Sequence, residues 1–244
     1  MRSVTASQYP KACASPARWA APSICSSTSA RFSRRHVLAG LGASALAGVV
    51  PPAFAAASPR QFEILRDGRL IGSHELTPSI EGDRVRMVID IAIRVKILGI
   101  TAYRYEHRNE ELWEGGRVLS SDTVTNDDGE QAFCRVERQG DTLKIDGSGF
   151  SGEAPGNACP TSYWNYQNLQ SDVWYSTQDG EVLSIQKARN TTEGGGERWD
   201  ISGGVEVSLF YDRSREWRGS AFDAKGAEGT YRQTAAGGQF AALI

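Results

Sequence analysis

From Arg84 to Leu98 the chain carries its clearest alternating pattern. Val85, Met87, Ile89, Ile91, Ile93, Val95 and Ile97 fall on one parity, and Arg84, Arg86, Asp90, Arg94 and Lys96 fall on the other. Successive apolar residues at period two give an extended strand one dry face, whereas a helix would scatter them around its circumference. A strand with one dry and one wet face belongs in an antiparallel sheet. Gly99 permits a bulge or bend. Thr101 to Arg108 then continues the alternation, with Tyr103, Tyr105 and His107 against Arg104, Glu106 and Arg108. If the parity carries across Gly99, these three rings extend the dry face with polar tips.

The rest of the chain reads as short extended runs separated by turn dipeptides. Asp67-Gly68, Asp128-Gly129, Gly140-Asp141, Asp179-Gly180, Gly203-Gly204 and Lys225-Gly226 each divide two such runs, and residues of these types accept the positive φ of tight hairpins. About ten to twelve strands in hairpin order predict an all-β fold. The expected form is an antiparallel meander curled into a barrel or half-barrel, lipocalin-like in outline, because curling removes exposed sheet edges. A two-sheet β-sandwich is the alternative. No window supports a long amphipathic helix.

Upstream of the strands lies a targeting pattern. Ser33-Arg34-Arg35-His36-Val37-Leu38 precedes an uncharged run from Val37 to Val50, and Pro51-Pro52 closes it. At 14 residues this run is short of the roughly 20 needed to span a bilayer as a helix. Small residues at Ala55 and Ala57 suit signal-peptidase cleavage. The paired Arg34 and Arg35 resemble the bacterial twin-arginine (Tat) signal, with Val37 in place of the usual Phe. The expected division is a targeting region over 1–57, cleaved near 55–57, a single β domain over 58–234, and a flexible C-terminal tail over 235–244. The expected destination is the periplasm, with the Tat translocase and signal peptidase as transient partners and no stable membrane anchor. Residues 1–30, Ala/Ser/Pro-rich, read as an unstructured lead-in or as the product of a start codon placed too far upstream.

Charge narrows the function classes. None of the 29 acidic residues falls before residue 58, whereas six of the 27 basic ones do, so the remainder carries 21 basic against 29 acidic, about −8. Nucleic acid is not expected as a partner, because phosphates need a basic face. Cys134 and Cys159 form a disulfide candidate in an oxidising compartment, with two free buried thiols as the alternative. A Tat passenger folds in the reducing cytoplasm, so its fold must stand without that bond. No Cys/His metal spacing and no cofactor motif are present, so no metal or cofactor is expected.

Three blocks carry a family resemblance: Tyr103–Arg117 (YRYEHRNEELWEGGR), Thr125–Gly129 (TNDDG) and Pro160–Asn165 (PTSYWN). They resemble an uncharacterised bacterial group, domain of unknown function 6134, over most of Phe62 to Gln233. The resemblance implies export, often by twin-arginine signals. It assigns no catalytic residue, and neither cysteine belongs to its pattern.

Candidate chemistry concentrates in two places. Ser148 to Asn168 is the longest stretch without alternation and is rich in aromatic residues. It reads as a lid packed over one barrel end, or as a ligand-gating loop with Tyr163 and Trp164 stacking on a ligand and Asn165 offering an amide. Tyr103, Tyr105 and His107 would line the pocket beneath it. A metal site joining His74 and His107 with Glu75, Glu106 or Asp122 is a weaker alternative. Glu106, Glu110, Glu111 and Glu114, among Arg104, Arg108 and Arg117, read as a solvated charge ladder. The leading expectation is a non-catalytic binding module for a small apolar or lipid-like ligand. The alternatives are an enzyme using His107 with a nearby carboxylate, and an envelope protein that binds a protein partner.

Overall fold

A computed structural model describes residues 55, 56 and 58–243. Sixteen strands account for most of them: β1 (Ala55–Ala56), β2 (Arg60–Arg66), β3 (Arg69–Glu81), β4 (Arg84–Ile97), β5 (Ile100–Glu114), β6 (Arg117–Asp127), β7 (Glu130–Gln139), β8 (Thr142–Gly147), β9 (Ser151–Pro155), β10 (Cys159–Pro160), β11 (Val173–Tyr175), β12 (Val182–Thr191), β13 (Glu197–Gly203), β14 (Val207–Tyr211), β15 (Trp217–Asp223) and β16 (Glu228–Ala235). A single 3-10 turn, Tyr166–Gln170, separates β10 from β11. No helix among the described residues is long and apolar enough to cross a membrane. Arg34, Arg35 and Ala57 lie outside the described residues, and Ala55 lies in β1, paired with Ile80 of β3.

The fold is an antiparallel meander in one hydrogen-bonded order, β10 to β16 followed by β2 to β9, with β1 attached beside β3. The pairing of β16 with β2 joins the C-terminal half to the N-terminal half. Among the described residues only β10 and β11 run parallel. The order does not close by strand pairing, because β9 and β10 stand at its two ends. A turn contact draws the two ends of the order together instead: the N–H groups of Gly149 and Phe150 donate to Asp179 O at 2.8 and 3.2 Å. Gly147 is required there, since a Cβ at that position would lie 2.2 Å from the same oxygen.

The long alternating segment ends differently from the expected bend. Leu98 (φ 51°) and Gly99 (φ 83°) form a tight two-residue turn, so β4 and β5 are separate strands of one hairpin. Residues directly opposite in an antiparallel pair share a face. Val95, Ile93 and Ile91 stand opposite Tyr103, Tyr105 and His107, so the parity survives although the strand reverses. The outer face carries the expected charge ladder, with Arg84 on Glu114 at 2.8 Å and Arg108 on Asp90 at 2.8 Å. Such exposed pairs contribute little individually.

Residues 235–243, expected to be a flexible tail, are packed. Phe240 is fully buried beneath the Arg60 guanidinium, 4.2 Å from its ring centroid. Arg60 is itself buried, pairs with Glu216 at 2.6 Å and donates to Ala236 O and Gly238 O. Glu216 in turn accepts the Ala241 N–H at 2.8 Å. The two cysteines are not joined: Cys134 and Cys159 are free thiols, and burial pushes both up to about 12.

Candidate functional site

The inward side of β5 is a row of polar-tipped residues: Tyr105, His107, Asn109, Glu111 and Trp113. Its neighbour β4 presents an aliphatic row, with Ile93, Ile91, Ile89, Met87 and Val85 opposite them in that order. On the other side, β6 sets Thr125, Thr123 and Ser121 beside His107, Asn109 and Glu111. One wall of the barrel is therefore greasy and the next is a hydrogen-bonding ladder.

At the lower end the ladder is saturated. Glu111 is fully buried and accepts Asn109 Nδ2 at 2.8 Å, Trp113 Nε1 at 2.8 Å and Trp164 Nε1 at 2.9 Å. Burial pushes its carboxyl above the usual range, against the pull of these donors. Asn109 Oδ1 accepts from Thr123 at 2.9 Å. Segment 160–175 folds inward over this floor. Asn165 caps the 3-10 turn by accepting Gln167 N–H at 2.8 Å, and Asn168 Nδ2 donates to Ser162 O. Tyr211 OH donates to Tyr163 O at 2.7 Å.

At the upper end the ladder opens into a cavity of about 420 Å³. Ile89, Ile91, Ile93, Leu183 and Val207 make its greasy side, and Tyr105, His107 and Asn109 make its polar one. His74, Tyr163, Trp217 and Tyr231 complete an aromatic wall, while Glu181, Glu206 and Asp223 stand among the lining. His107 Nδ1 is 2.8 Å from Thr125 Oγ1. Burial lowers its pKa to about 4. His74 lies among Phe62, Trp217 and Tyr231, and burial lowers its pKa to about 3 with a further push from His107. Both imidazoles are neutral at pH 7. Four lining residues carry a buried polar atom with no hydrogen-bond partner: His74 Nε2, Ser162 Oγ, Trp217 Nε1 and Ser220 Oγ.

The expected site residues divide. Tyr105, His107 and Tyr163 line the cavity together. Trp164 is turned down onto Glu111, Asn165 is used as a cap, and Tyr103 sits above the cavity with the Lys225 ammonium 4.8 Å from its ring centroid. The metal alternative does not assemble: Glu75, Glu106 and Asp122 alternate with the inward residues and face outward, and no group of three ligands is placed for a metal among the described residues. Glu111 leaves the charge ladder to which its neighbours belong. Its parity with His107 and Trp113 was the available signal. His74, Trp217, Ser220 and Tyr231 are brought in by long-range pairing of β15, β16, β2 and β3, which no local pattern encodes.

These features define a β-barrel-like protein built around a half-filled interior. The chain belongs to the family described as Domain of unknown function (DUF6134), which matches residues 62–234. Among solved structures, a β-barrel-like protein of domain of unknown function DUF1849 from Brucella abortus is similar, with a TM-score of 0.51 at 10% identity, covering 75% of this chain and 98% of that one. At that identity the likeness is one of fold. Among curated proteins nothing matches.

Proposed function

We propose that this protein is an exported, non-catalytic binding module for a small, mostly apolar molecule held in the upper half of the barrel. The carrying observation is the cavity itself, with an aliphatic wall beside a polar one and four buried polar atoms on its lining that lack partners. An unsatisfied buried donor or acceptor costs about 1–3 kcal/mol, which a ligand group of matching polarity would recover. The volume falls within the range of small-molecule sites. Glu181, Glu206 and Asp223 in the lining disfavour an anionic ligand, which points to a neutral molecule or one with a cationic end. A hydroxyl partner on His107, rather than a carboxylate, favours binding over acid–base work. The twin-arginine signal read from Arg34 and Arg35 supports a periplasmic site of action.

The test is a fluorescence titration with the neutral apolar probe N-phenyl-1-naphthylamine, beside native mass spectrometry of the purified protein. Saturable uptake is expected, and Ile91→Trp, which fills the cavity from its greasy wall, should weaken it tenfold or more while the melting temperature holds. Uptake that is unsaturable, or indifferent to Ile91→Trp, would sink the reading.

A further inference from the structure

The β4–β5 hairpin outruns its neighbours. Pairing of β3 with β4 stops at Gly72 and Ile93, and pairing of β5 with β6 stops at Tyr105 and Asp127. Residues 94–103 therefore stand as a ribbon whose two strands pair only with each other, rising from two residues that line the cavity; at its base Arg104 is tied to Asp128 and the Tyr103 ring meets Lys225. Its tip is aliphatic and bare: Ile97 is 60%, Leu98 99% and Ile100 74% exposed. Leu98 also occupies a left-handed position, φ 51°, where Asn, Asp or Gly would be relaxed. Below the tip, Arg94 and Arg104 stand directly opposite each other, an unfavourable like-charge pairing. Arg104 is engaged by Glu106. Arg94 and Lys96 make no ion pair among the described residues. An isolated ribbon is marginal in water, and this one spends its most solvated positions on leucine and isoleucine.

We propose that the ribbon is a membrane finger: Ile97, Leu98 and Ile100 insert at the headgroup–acyl boundary of a lipid bilayer, and Arg94 and Lys96 form a cationic collar on its anionic headgroups. Apolar tip followed by basic collar is the order of chemistry met on entering such a surface. The chain's net negative charge opposes approach at long range, but at contact only charges within about 8 Å are felt, and at the ribbon those include the collar. The insertion stands by itself. Its consequence, that the cavity mouth is held beside the lipid from which an apolar ligand would enter, rests on the binding function proposed above.

Leu98→Trp reads the tip directly, as a difference spectrum against the wild type. With vesicles of phosphatidylcholine and phosphatidylglycerol at 7:3, the added emission should shift to the blue and be quenched by lipid brominated near the headgroup end of the chain. Adding Ile97→Asp and Ile100→Asp should weaken that response tenfold or more, and Arg94→Glu with Lys96→Glu should remove the preference over pure phosphatidylcholine. Circular dichroism checks that the variants fold, and vesicle-free uptake of N-phenyl-1-naphthylamine is measured separately. Absence of quenching in folded Leu98→Trp overturns the finger and leaves the cavity reading intact. A blue shift that grows with protein concentration without lipid also overturns it, and makes the occupant a second copy. Quenching at the tip without probe uptake keeps the finger and removes the cavity reading.

Discussion

The two halves of the barrel interior are built from the same strands and do opposite things. Around Glu111 the carboxylate is answered from within, the indoles of Trp113 and Trp164 converge on it, and the chain folds in over the floor, although Asn165 Nδ2, Asn168 Oδ1 and Tyr175 OH of that covering segment lack partners. Around His74 the rings pack as closely, yet His74, Ser162, Trp217 and Ser220 are left with unanswered polar atoms beside open volume. A buried polar network stabilises when it is complete and destabilises when it is partial. Both halves leave polar atoms unanswered; the difference is that the charged centre of the lower half is satisfied from within, whereas the unanswered atoms of the upper half border the cavity, where a guest would restore them. The largest test of this contrast lies in the clamp at the closed end. Arg60→Ala leaves Glu216 charged and buried beside a loosened tail, and urea denaturation should show a loss of about 3–5 kcal/mol. A loss under about 1 kcal/mol would mean that the closed end is not where stability resides.

Glu111→Ala is the next effect in size. It removes the acceptor of three buried N–H groups, each costly to strand, and a loss of about 3 kcal/mol is expected in the same assay. Glu111→Gln, which keeps one acceptor oxygen, should fall well short of that. Equal losses would show that volume, and not the hydrogen-bond network, sets the cost.

Parity carried much of this architecture in advance. The period-two row of β4 identified the dry face, and Tyr105 and His107 followed onto it even though Gly99 is half of a hairpin turn and not a bend. Two expectations failed for one reason: each judged a residue by its type and its neighbours in sequence. Glu111 looked like its exposed neighbours Glu110 and Glu114, but at period two adjacent residues face opposite ways. Trp164 and Asn165 looked like ligand contacts, but Trp164 Nε1 is taken by Glu111 and Asn165 Oδ1 by the Gln167 N–H. Two of the partners of His74, Trp217 and Tyr231, come from strands about 150 residues away, joined by the β16–β2 pairing, and no local pattern contains that pairing. The tail was misjudged because Ala-Ala-Gly-Gly composition hides the single anchoring residue, Phe240.

Acid separates the halves by sign. His74 and His107 have folded pKa values below the unfolded 6.5, so at pH 5 the unfolded chain binds more protons and stability falls with pH, by about 2 kcal/mol per histidine between 6.5 and 5. Glu111 runs the other way: its folded pKa is raised, so the stability it contributes is present in acid and lost as pH rises through that value. His74→Phe keeps an aromatic ring among Phe62, Trp217 and Tyr231 and removes one titration. Its stability at pH 7 should stay within about 1 kcal/mol of the wild type, and its advantage should grow to about 2 kcal/mol at pH 5. A constant difference across that range would mean that His74 is not held neutral by burial.

The smallest change in stability should come with a clear change in binding. Ser220 is buried, and its hydroxyl has no partner, so Ser220→Ala removes a group that the empty barrel does not use. Stability should move by less than about 1 kcal/mol, and upward, because an unsatisfied oxygen disappears. A guest that hydrogen-bonds Ser220 would lose that bond, about 1 kcal/mol or some fivefold in affinity, so a ligand recovered with the protein should bind Ser220→Ala more weakly. N-phenyl-1-naphthylamine, with a single N–H to offer, should be affected less than that ligand. If Ser220→Ala destabilises the empty protein as a satisfied core serine would, the hydroxyl has a partner, and the upper half is closed in the same sense as the lower one. The contrast between the halves would then lose one of its four unanswered groups and rest on His74, Ser162 and Trp217.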